Sequence, residues 1–423
     1  MNEYSSPAIE APDEGWLEDI KVDRAALGTV YFTVFLDLLG FGIILPWLPY
    51  YAARLGATGL LLGLLFTAYS LAQLFGAAIL GRMSDRHGRR PILMISLMGS
   101  AVGMVLSGLT DLGYPATLGP GEQTEDAAWR LAALIFARAV AGLFGGSIAV
   151  AQAYVADVTS PSERPKYMGF VGASIGMGFV VGPALGALVK SMGYGFMTVA
   201  FLSAGLALVN LGLAAWRLKE PRRRSGAKVK RLASLGAWQT AFGRPTVRRA
   251  LLATFFTMAA FVSMETTFAY LGRDRFGLDT LSFGLVLAFV GVVLIIIQGG
   301  VIWPLSRRLG SRRVARLGCV LMAVALAVLP LAPSLVLAVA ALGCLAAGQG
   351  LTSPSLASIM SNLASDDDQG SVLGVSQSLS AGARAFAPVL AGGLYDFEIA
   401  APYFVGALLA LMAAFLISGV DDP

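Results

Sequence analysis

The sequence GRMSDRHGRRP, residues 81–91, concentrates charge between two long apolar segments, 58–80 and 92–109. Because the hydrocarbon core of a membrane cannot accept these charges, the segment predicts a tight, water-facing turn between two membrane-spanning helices. Gly81 would let two helices approach closely. Gly88 can supply a positive φ if the turn needs one.

The charges of this segment predict its orientation. Arg86, Arg89 and Arg90 place the turn on the cytoplasmic side by the positive-inside rule. Asp85 can lie among those arginines or at a helix N-terminus, where a carboxylate is favoured. A loop that only sets topology also carries basic residues, but it needs neither the aspartate nor two glycines at fixed spacing.

The spacing Gly-x-x-x-Asp-Arg-x-Gly-Arg-Arg of residues 81–90 resembles the loop signature between spans 2 and 3 of the major facilitator superfamily of secondary transporters. The resemblance implies a gating role for the residues that match the signature. These are Gly81, Asp85, Arg86, Gly88, Arg89 and Arg90.

Composition assigns most of the chain to lipid. The 423 residues are 56% hydrophobic and 13% charged, more apolar than a soluble domain of this size could bury. Two cysteines and one histidine provide neither a disulfide framework nor a metal cluster. The net charge of +5 comes from loop arginines, so no nucleic-acid partner is expected. Without a phosphate-cradling loop or a nucleophile with its base, we expect neither an enzyme nor an ATP-driven pump.

Windows of about twenty apolar residues predict an all-α integral membrane protein with twelve transmembrane helices in two pseudo-symmetric six-helix bundles. The predicted spans are 27–53, 58–82, 91–110, 129–156, 165–190, 194–217, 246–271, 280–304, 313–331, 334–361, 370–394 and 400–418. The predicted parts are a leader (1–26), a first bundle (27–217), a basic linker (218–245), a second bundle (246–418) and a tail (419–423).

Loop charges place both termini in the cytoplasm. Basic residues concentrate near 86–90, 164–166, 217–249 and 307–313, whereas the other loops are mostly acidic or sparse in charge. The leader is acidic and polar, so we expect no cleavable signal peptide. The basic linker either anchors the topology or forms an interfacial segment that binds anionic headgroups.

The two halves repeat. SDRHGRR at 84–90 aligns with SRRLGSR at 306–312, and GPxxG at 182–186 aligns with APxxA at 387–391. Duplication around a central linker is typical of transporters built from two parallel halves. Because Arg307 replaces the aspartate in the second copy, we expect the first copy to carry the functional version.

Ionisable residues within spans are candidates for proton coupling. Asp37 lies in span 1, where a carboxylate costs roughly 2.5–3.5 kcal/mol unless it is paired, hydrated or protonated. Asp37 either carries a proton that substrate displaces or is simply hydrated near the cytoplasmic edge. Arg138 in span 4 needs an anion, and Asp37 is one possible partner. Asp157, at the end of span 4, lies within reach of Arg86 or Arg89 and is assigned to the gating cluster.

The second half offers a second pair of candidates. Glu265 lies deep in span 7, and Arg384 lies deep in span 11, four residues before Pro388. The two side chains pair with each other, or Glu265 exchanges a proton or meets a cationic substrate; the sequence leaves both open.

Span 5 carries Gly178, Gly182, Pro183 and Gly186, a spacing that either packs helices closely or, through the proline, bends the span. Other polar side chains within spans are candidates for the substrate pathway, although hydrogen bonding between helices would also explain such groups. They are Gln152, Tyr154, Gln298 and Gln349.

Taken together, these motifs resemble those of the twelve-span drug:proton antiporters, and most closely the tetracycline-efflux-like branch. The span-5 glycine–proline run resembles the signature of the antiporters. The resemblance implies a central cavity, alternating access, and export of small amphipathic molecules or drugs, as in multidrug efflux and antibiotic resistance. The turn at residues 81–91 would stabilise the outward-open state.

The resemblance also implies the setting in which the protein works. We expect a bacterial cytoplasmic (inner) membrane protein surrounded by lipid, with protons as the coupling ion and no cofactor. Nothing in the sequence requires more than a monomer. A proton-coupled uptake symporter or a lipid or lysolipid transporter of the same fold stays open as the alternative.

Overall fold

The computed structural model describes residues 24–114, 124–159, 163–221, 235–364 and 369–420. Within these ranges the chain consists of helices and short connections. Most of the leader and the arginine-rich part of the linker lie outside the described residues, so the expectations for them stay predictions.

Six long helices form the first half. They are α1 (Ala25–Arg54), α2 (Gly59–His87), α3 (Arg89–Leu109), α4 (Ala127–Val158), α5 (Arg164–Ser191) and α6 (Phe196–Arg217). A turn at Pro46 interrupts α1, because proline removes a backbone donor, and a second turn at Gly145 and Gly146 interrupts α4.

Six more long helices form the second half, after a short helix at Leu235–Gly243. They are α7 (Pro245–Phe276), α8 (Thr280–Leu309), α9 (Ser311–Leu331), α10 (Leu335–Leu363), α11 (Gln369–Phe397) and α12 (Ala401–Ser418). Within α8, residues Ile297–Val301 form a π-helical segment, a local widening that often marks functional sites. Each predicted span corresponds to one of these helices.

In the described part of the chain, eleven helices are both long and apolar enough to cross a membrane. The remaining one, α11, has 29 residues but is more polar. Gln377, Ser380 and Arg384 follow one face of α11, whereas Phe386 and Leu390 are exposed on the other. Such a helix can cross the bilayer when its polar face turns towards protein or a water-filled cavity.

The helices pack as two groups, α1–α6 and α7–α12. In the first group α1 packs against α5 and α6, and α3 packs against α4 and α6. In the second, α7 packs against α11 and α12, and α9 against α10 and α12. The groups meet mainly where α2 crosses α11 and α5 crosses α8. These two crossings are equivalent under the internal repeat, because α2 corresponds to α8 and α5 to α11.

The predicted turn at residues 81–91 is wrong in its length. Helix α2 continues to His87 and α3 begins at Arg89, so Gly88 alone connects them. Gly88 has φ 105°, the positive value that favours glycine. The prediction for Gly81 is also wrong, because a Cβ added there would meet no atom within 4 Å. The charges do not force an extended loop, since helix α2 can carry them beyond the lipid.

The two groups are held together at one end of the molecule. We call the end that carries Arg89, Arg217, Arg249 and Arg312 the basic end. At the opposite end, the Asp396 carboxylate accepts hydrogen bonds from the N–H groups of Gly59 (2.6 Å) and Leu60 (2.8 Å), and the Tyr270 hydroxyl donates to the Ala57 carbonyl (2.9 Å).

Glycine surroundings show where the groups separate. Near the opposite end, a Cβ added to Gly63 of α2 would overlap the Pro388 carbonyl of α11. Towards the basic end, Gly169 and Gly172 of α5 would meet no atom within 4 Å, although they share a helix face with Gly176, whose added Cβ would lie 3.6 Å from Ile295 of α8. The space between the groups is therefore a cleft that is closed at the opposite end and open towards the basic end.

Close packing of α2 against α4 yields a stability prediction. A Cβ added to Gly142 would overlap the backbone carbonyl of Tyr69, so Gly142→Ala should lower the free energy of unfolding by about 1–3 kcal/mol. This loss should appear as a lower apparent melting temperature of the purified protein. Gly205→Ala in α6 is the matched control, because a Cβ there meets nothing within 4 Å and alanine favours a helix. Equal melting temperatures for the two variants would contradict this packing.

Candidate functional site: intramembrane charges and the basic-end cluster

Arg89 is the centre of an ion cluster at the basic end. Its guanidinium contacts the Asp85 carboxylate of α2 at 2.5 Å and the Asp157 carboxylate of α4 at 2.8 Å. It also donates to the Ser84 hydroxyl at 2.7 Å. The structure therefore links the ends of α2, α3 and α4 through one arginine whose side chain is only 16% exposed.

Glu220, just beyond α6, completes this cluster, although no motif in the sequence predicted it. Its carboxylate accepts hydrogen bonds from the backbone N–H groups of Arg89 (2.6 Å) and Arg90 (2.9 Å). These are unsatisfied donors at the start of α3, where negative charge is also favoured by the helix dipole. Arg90 in turn donates to the Ala215 carbonyl at 2.6 Å, and Arg86 is exposed.

Asp37 and Arg138 lie in the first group at membrane depth. Asp37 of α1 accepts a hydrogen bond from the Ser147 hydroxyl of α4. Arg138 of α4 is 1% exposed, and its guanidinium carbon lies 4.5 Å from the ring centre of Tyr69 and 5.7 Å from that of Phe41. A desolvated contact of this kind contributes on the order of 2 kcal/mol.

Arg138 does not pair with Asp37. Among the residues that the structure describes, ion pairs with N–O distances within 4.0 Å involve Arg89, Arg130 and Arg273. Aromatic faces accept a cation and a hydroxyl donates to a carboxylate, so each charge is stabilised without the other.

Glu265 and Arg384 lie in the second group and also form no ion pair within that distance among the described residues. They are nevertheless close enough for the charge of Arg384 to act on Glu265 and on Tyr69 of α2. Glu265 is half-buried and Arg384 is exposed. Tyr69 is also influenced by Arg138 and Asp37, so its hydroxyl lies within electrostatic range of charges on both groups.

The span-5 glycines pack α5 against α1. Added Cβ atoms would lie 2.5 Å from Leu38 Cβ at Gly178 and 2.6 Å from the Gly42 Cα at Gly182. The carbonyl of Gly186 accepts a hydrogen bond from the Trp47 indole at 3.0 Å. α5 is a single α-helix that contains Pro183. The packing alternative therefore accounts for the glycines.

The pathway candidates lie in different environments. Tyr154 is buried, and its hydroxyl donates to the Lys219 carbonyl at 2.8 Å, which joins α4 to the end of α6. Gln349 is buried in α10. Gln152 is exposed, and so is Gln298 within the π-helical segment of α8. Of the four side chains, only the last two are exposed.

Two residues that organise the interior charges, Ser147 and Tyr69, were not predicted from the sequence. Their signals were weak, because a serine after two glycines and a tyrosine in an apolar span are both common packing residues. Only the observed contacts with Asp37 and Arg138 distinguish them.

Comparison with known proteins assigns this arrangement to a family. The sequence pattern of the Major Facilitator Superfamily matches residues 30–388 and 301–423. The chain belongs to the major facilitator superfamily. It is therefore a secondary transporter of small-molecule substrates embedded in a membrane, and not an enzyme.

Individual relatives agree with the tetracycline-efflux-like resemblance. Tetracycline resistance protein, class H, of Pasteurella multocida is 31% identical over 397 residues, 90% of this chain and 91% of the relative. Multidrug resistance protein 2 of Bacillus subtilis is 25% identical over 386 residues, 90% of this chain and 91% of the relative. The crystal structure of a D-xylose-proton symporter has a TM-score of 0.73 and covers 94% of this chain and 96% of that one; at 17% identity it shows the fold alone.

The shared guanidinium of Arg89 yields a prediction for this transporter. Asp85→Asn or Asp157→Asn alone should lower the free energy of unfolding by about 1 kcal/mol or less, because the other carboxylate still compensates the arginine. The apparent melting temperature should therefore fall only slightly. The double variant should lose more stability than the two single variants lose together, since Arg89 is then a poorly solvated cation without either carboxylate. Arg82→Gln, with an exposed side chain, is the control. Strictly additive shifts would show that the carboxylates act independently.

Proposed function

We propose that this major facilitator protein exports small amphipathic molecules or drugs in exchange for protons, by alternating access. The observation that carries the proposal is Asp37, a carboxylate at membrane depth with a hydroxyl donor and no ion pair among the described residues. Intramembrane carboxylates of this kind commonly mark proton pathways. The tetracycline and multidrug resistance relatives support export as the direction.

The cleft supplies the route. It opens towards the basic end, which the positive-inside rule assigns to the cytoplasm, so both termini lie there. Cargo enters the cleft from the cytoplasm and contacts the region around Asp37. The halves, 27–217 and 246–418, then rock about the linker at 218–245, and cargo leaves on the far side. The protein works as a monomer in a bacterial cytoplasmic membrane.

A proton from outside resets the cycle. It enters the outward-open cavity and neutralises Asp37, and the protonated carrier then returns to the cytoplasmic side. The transmembrane potential favours the proton's inward movement by about 2.3 kcal/mol per charge per 100 mV. The Arg89 cluster ties α2, α3 and α4 together and keeps the first group rigid as α2 moves against α11.

Proton release tests the exchange directly. Tetracycline and other candidate drugs are added to the purified protein in weakly buffered detergent solution, and released protons are followed with a pH dye. The wild-type protein should release protons on binding, and Asp37→Asn should release none, because the amide has no proton to exchange. Glu265→Gln should retain the release. Asp126→Asn, at the opposite end and paired with Arg130, is the control.

Three outcomes would change the proposal. Release lost only in Glu265→Gln would move coupling to the second half. Proton uptake on binding would indicate a symporter. Binding without any proton change would remove the antiport mechanism and favour uptake or lipid transport.

A further inference from the structure

Arg384 lies at the closed end of the cleft. It precedes Pro388 by one helical turn, and Pro388 is where α11 touches Gly63 of α2. Towards the basic end the two groups have separated, because a Cβ added at Gly172 of α5 would meet no atom within 4 Å. A molecule that enters from the basic end therefore reaches Arg384 just before the helices close.

The helical geometry points Arg384 away from lipid. Phe386 lies two residues further along α11, which is about 200° around the helix axis, and it is exposed together with Leu390. Arg384 thus lies nearly opposite the apolar face. Its charge acts on Tyr69 of α2 and Glu265 of α7, the helices against which α11 packs.

The guanidinium of Arg384 is available to a ligand. Its side chain is exposed, and within the described residues it forms no ion pair and no hydrogen bond. An arginine at membrane depth is unfavourable unless water or an anion satisfies it. Its planar set of five donors matches a carboxylate in a two-pronged hydrogen bond.

An apolar surface lies near this cation, on the first group. The ring of Phe41 is 5.1 Å from that of Tyr69 and 6.1 Å from that of Phe179, measured between centroids. All three rings are half-buried, so each keeps part of its surface accessible. Tyr69 lies on α2, the helix of the first group against which α11 packs, and within electrostatic range of Arg384.

We propose that Arg384 binds the acidic group of the cargo and that the cargo class is amphipathic organic anions. The aromatic or aliphatic body of the cargo packs against Phe41, Tyr69 and Phe179. Glu265 sets the strength of binding, because its ionised form competes with the cargo for Arg384. This assignment rests on the transport function proposed above and names the substrate class of that cleft.

Three probes of equal size and different charge test the assignment: 2-naphthylacetate, 2-naphthylacetamide and 2-(2-naphthyl)ethylamine. Their binding to the purified full-length protein in detergent is measured by isothermal titration calorimetry at fixed pH and ionic strength. The wild-type protein should bind the acetate about 10–100-fold more tightly than the amide, the range expected of a charge-assisted hydrogen bond. It should bind the amine more weakly still.

Variants assign the preference to a residue. Arg384→Gln should bind the acetate and the amide equally, and Arg384→Lys should keep part of the preference. Glu265→Gln should bind the acetate more tightly than the wild-type protein, because the competing charge is gone. Arg307→Gln removes a positive charge outside the cleft, where Arg307 lies on the Trp303 ring, and should change nothing.

Several results would overturn the proposal. These are equal binding of acetate and amide by the wild-type protein, a preference that survives in Arg384→Gln, or tight amine binding that Glu265→Gln abolishes. If Arg384→Gln does not fold, as judged by gel filtration, weaker acetate binding in Arg384→Lys and tighter binding in Glu265→Gln decide the question. The binding titration requires no proton gradient. If the acetate preference is intact but drugs release no protons, proton exchange is rejected and the anion site stands. Normal release without that preference would reject the anion site alone.

Discussion

The structure depends on one constraint: a charge at membrane depth must be satisfied by a neighbour, because lipid offers none. The chain meets this constraint in different ways. Asp37 receives a hydroxyl, and Arg138 is enclosed by aromatic rings. Arg384 instead faces open space and acts on Glu265 without touching it. The first two are fixed by packing, whereas the last two are left free to respond to whatever occupies the cleft.

Close helix packing makes these arrangements possible. Gly142 brings α4 against α2 at Tyr69, whose ring Arg138 of α4 contacts, and Gly182 brings α5 against α1. The same device places the closed end of the cleft, where Gly63 meets α11. Because small residues concentrate at these crossings, the position of the cleft follows from where glycine allows backbones to meet.

Much of the fold could be predicted from the sequence, because long apolar segments have one stable solution in lipid. The site was harder. Residues close in sequence, such as Asp85 and Arg89, were grouped correctly, since only three residues separate them along the chain. Partners from distant segments were not. Glu220 and Ser147 carry no local signal, and whether Arg138 meets a carboxylate or a ring depends on helix rotation, which hydropathy does not encode.

The polarity of α11 sets a condition on how the chain enters the bilayer during synthesis. An arginine near the centre of an isolated helix disfavours insertion by roughly 2.5–3.5 kcal/mol. The groups that share its environment, Tyr69 and Glu265, belong to α2 and α7, which leave the ribosome earlier. α11 therefore meets the polar surroundings of its arginine only when both of those helices are in place. Because α2 belongs to the first half, the second half draws on the first for the environment of one of its own charges.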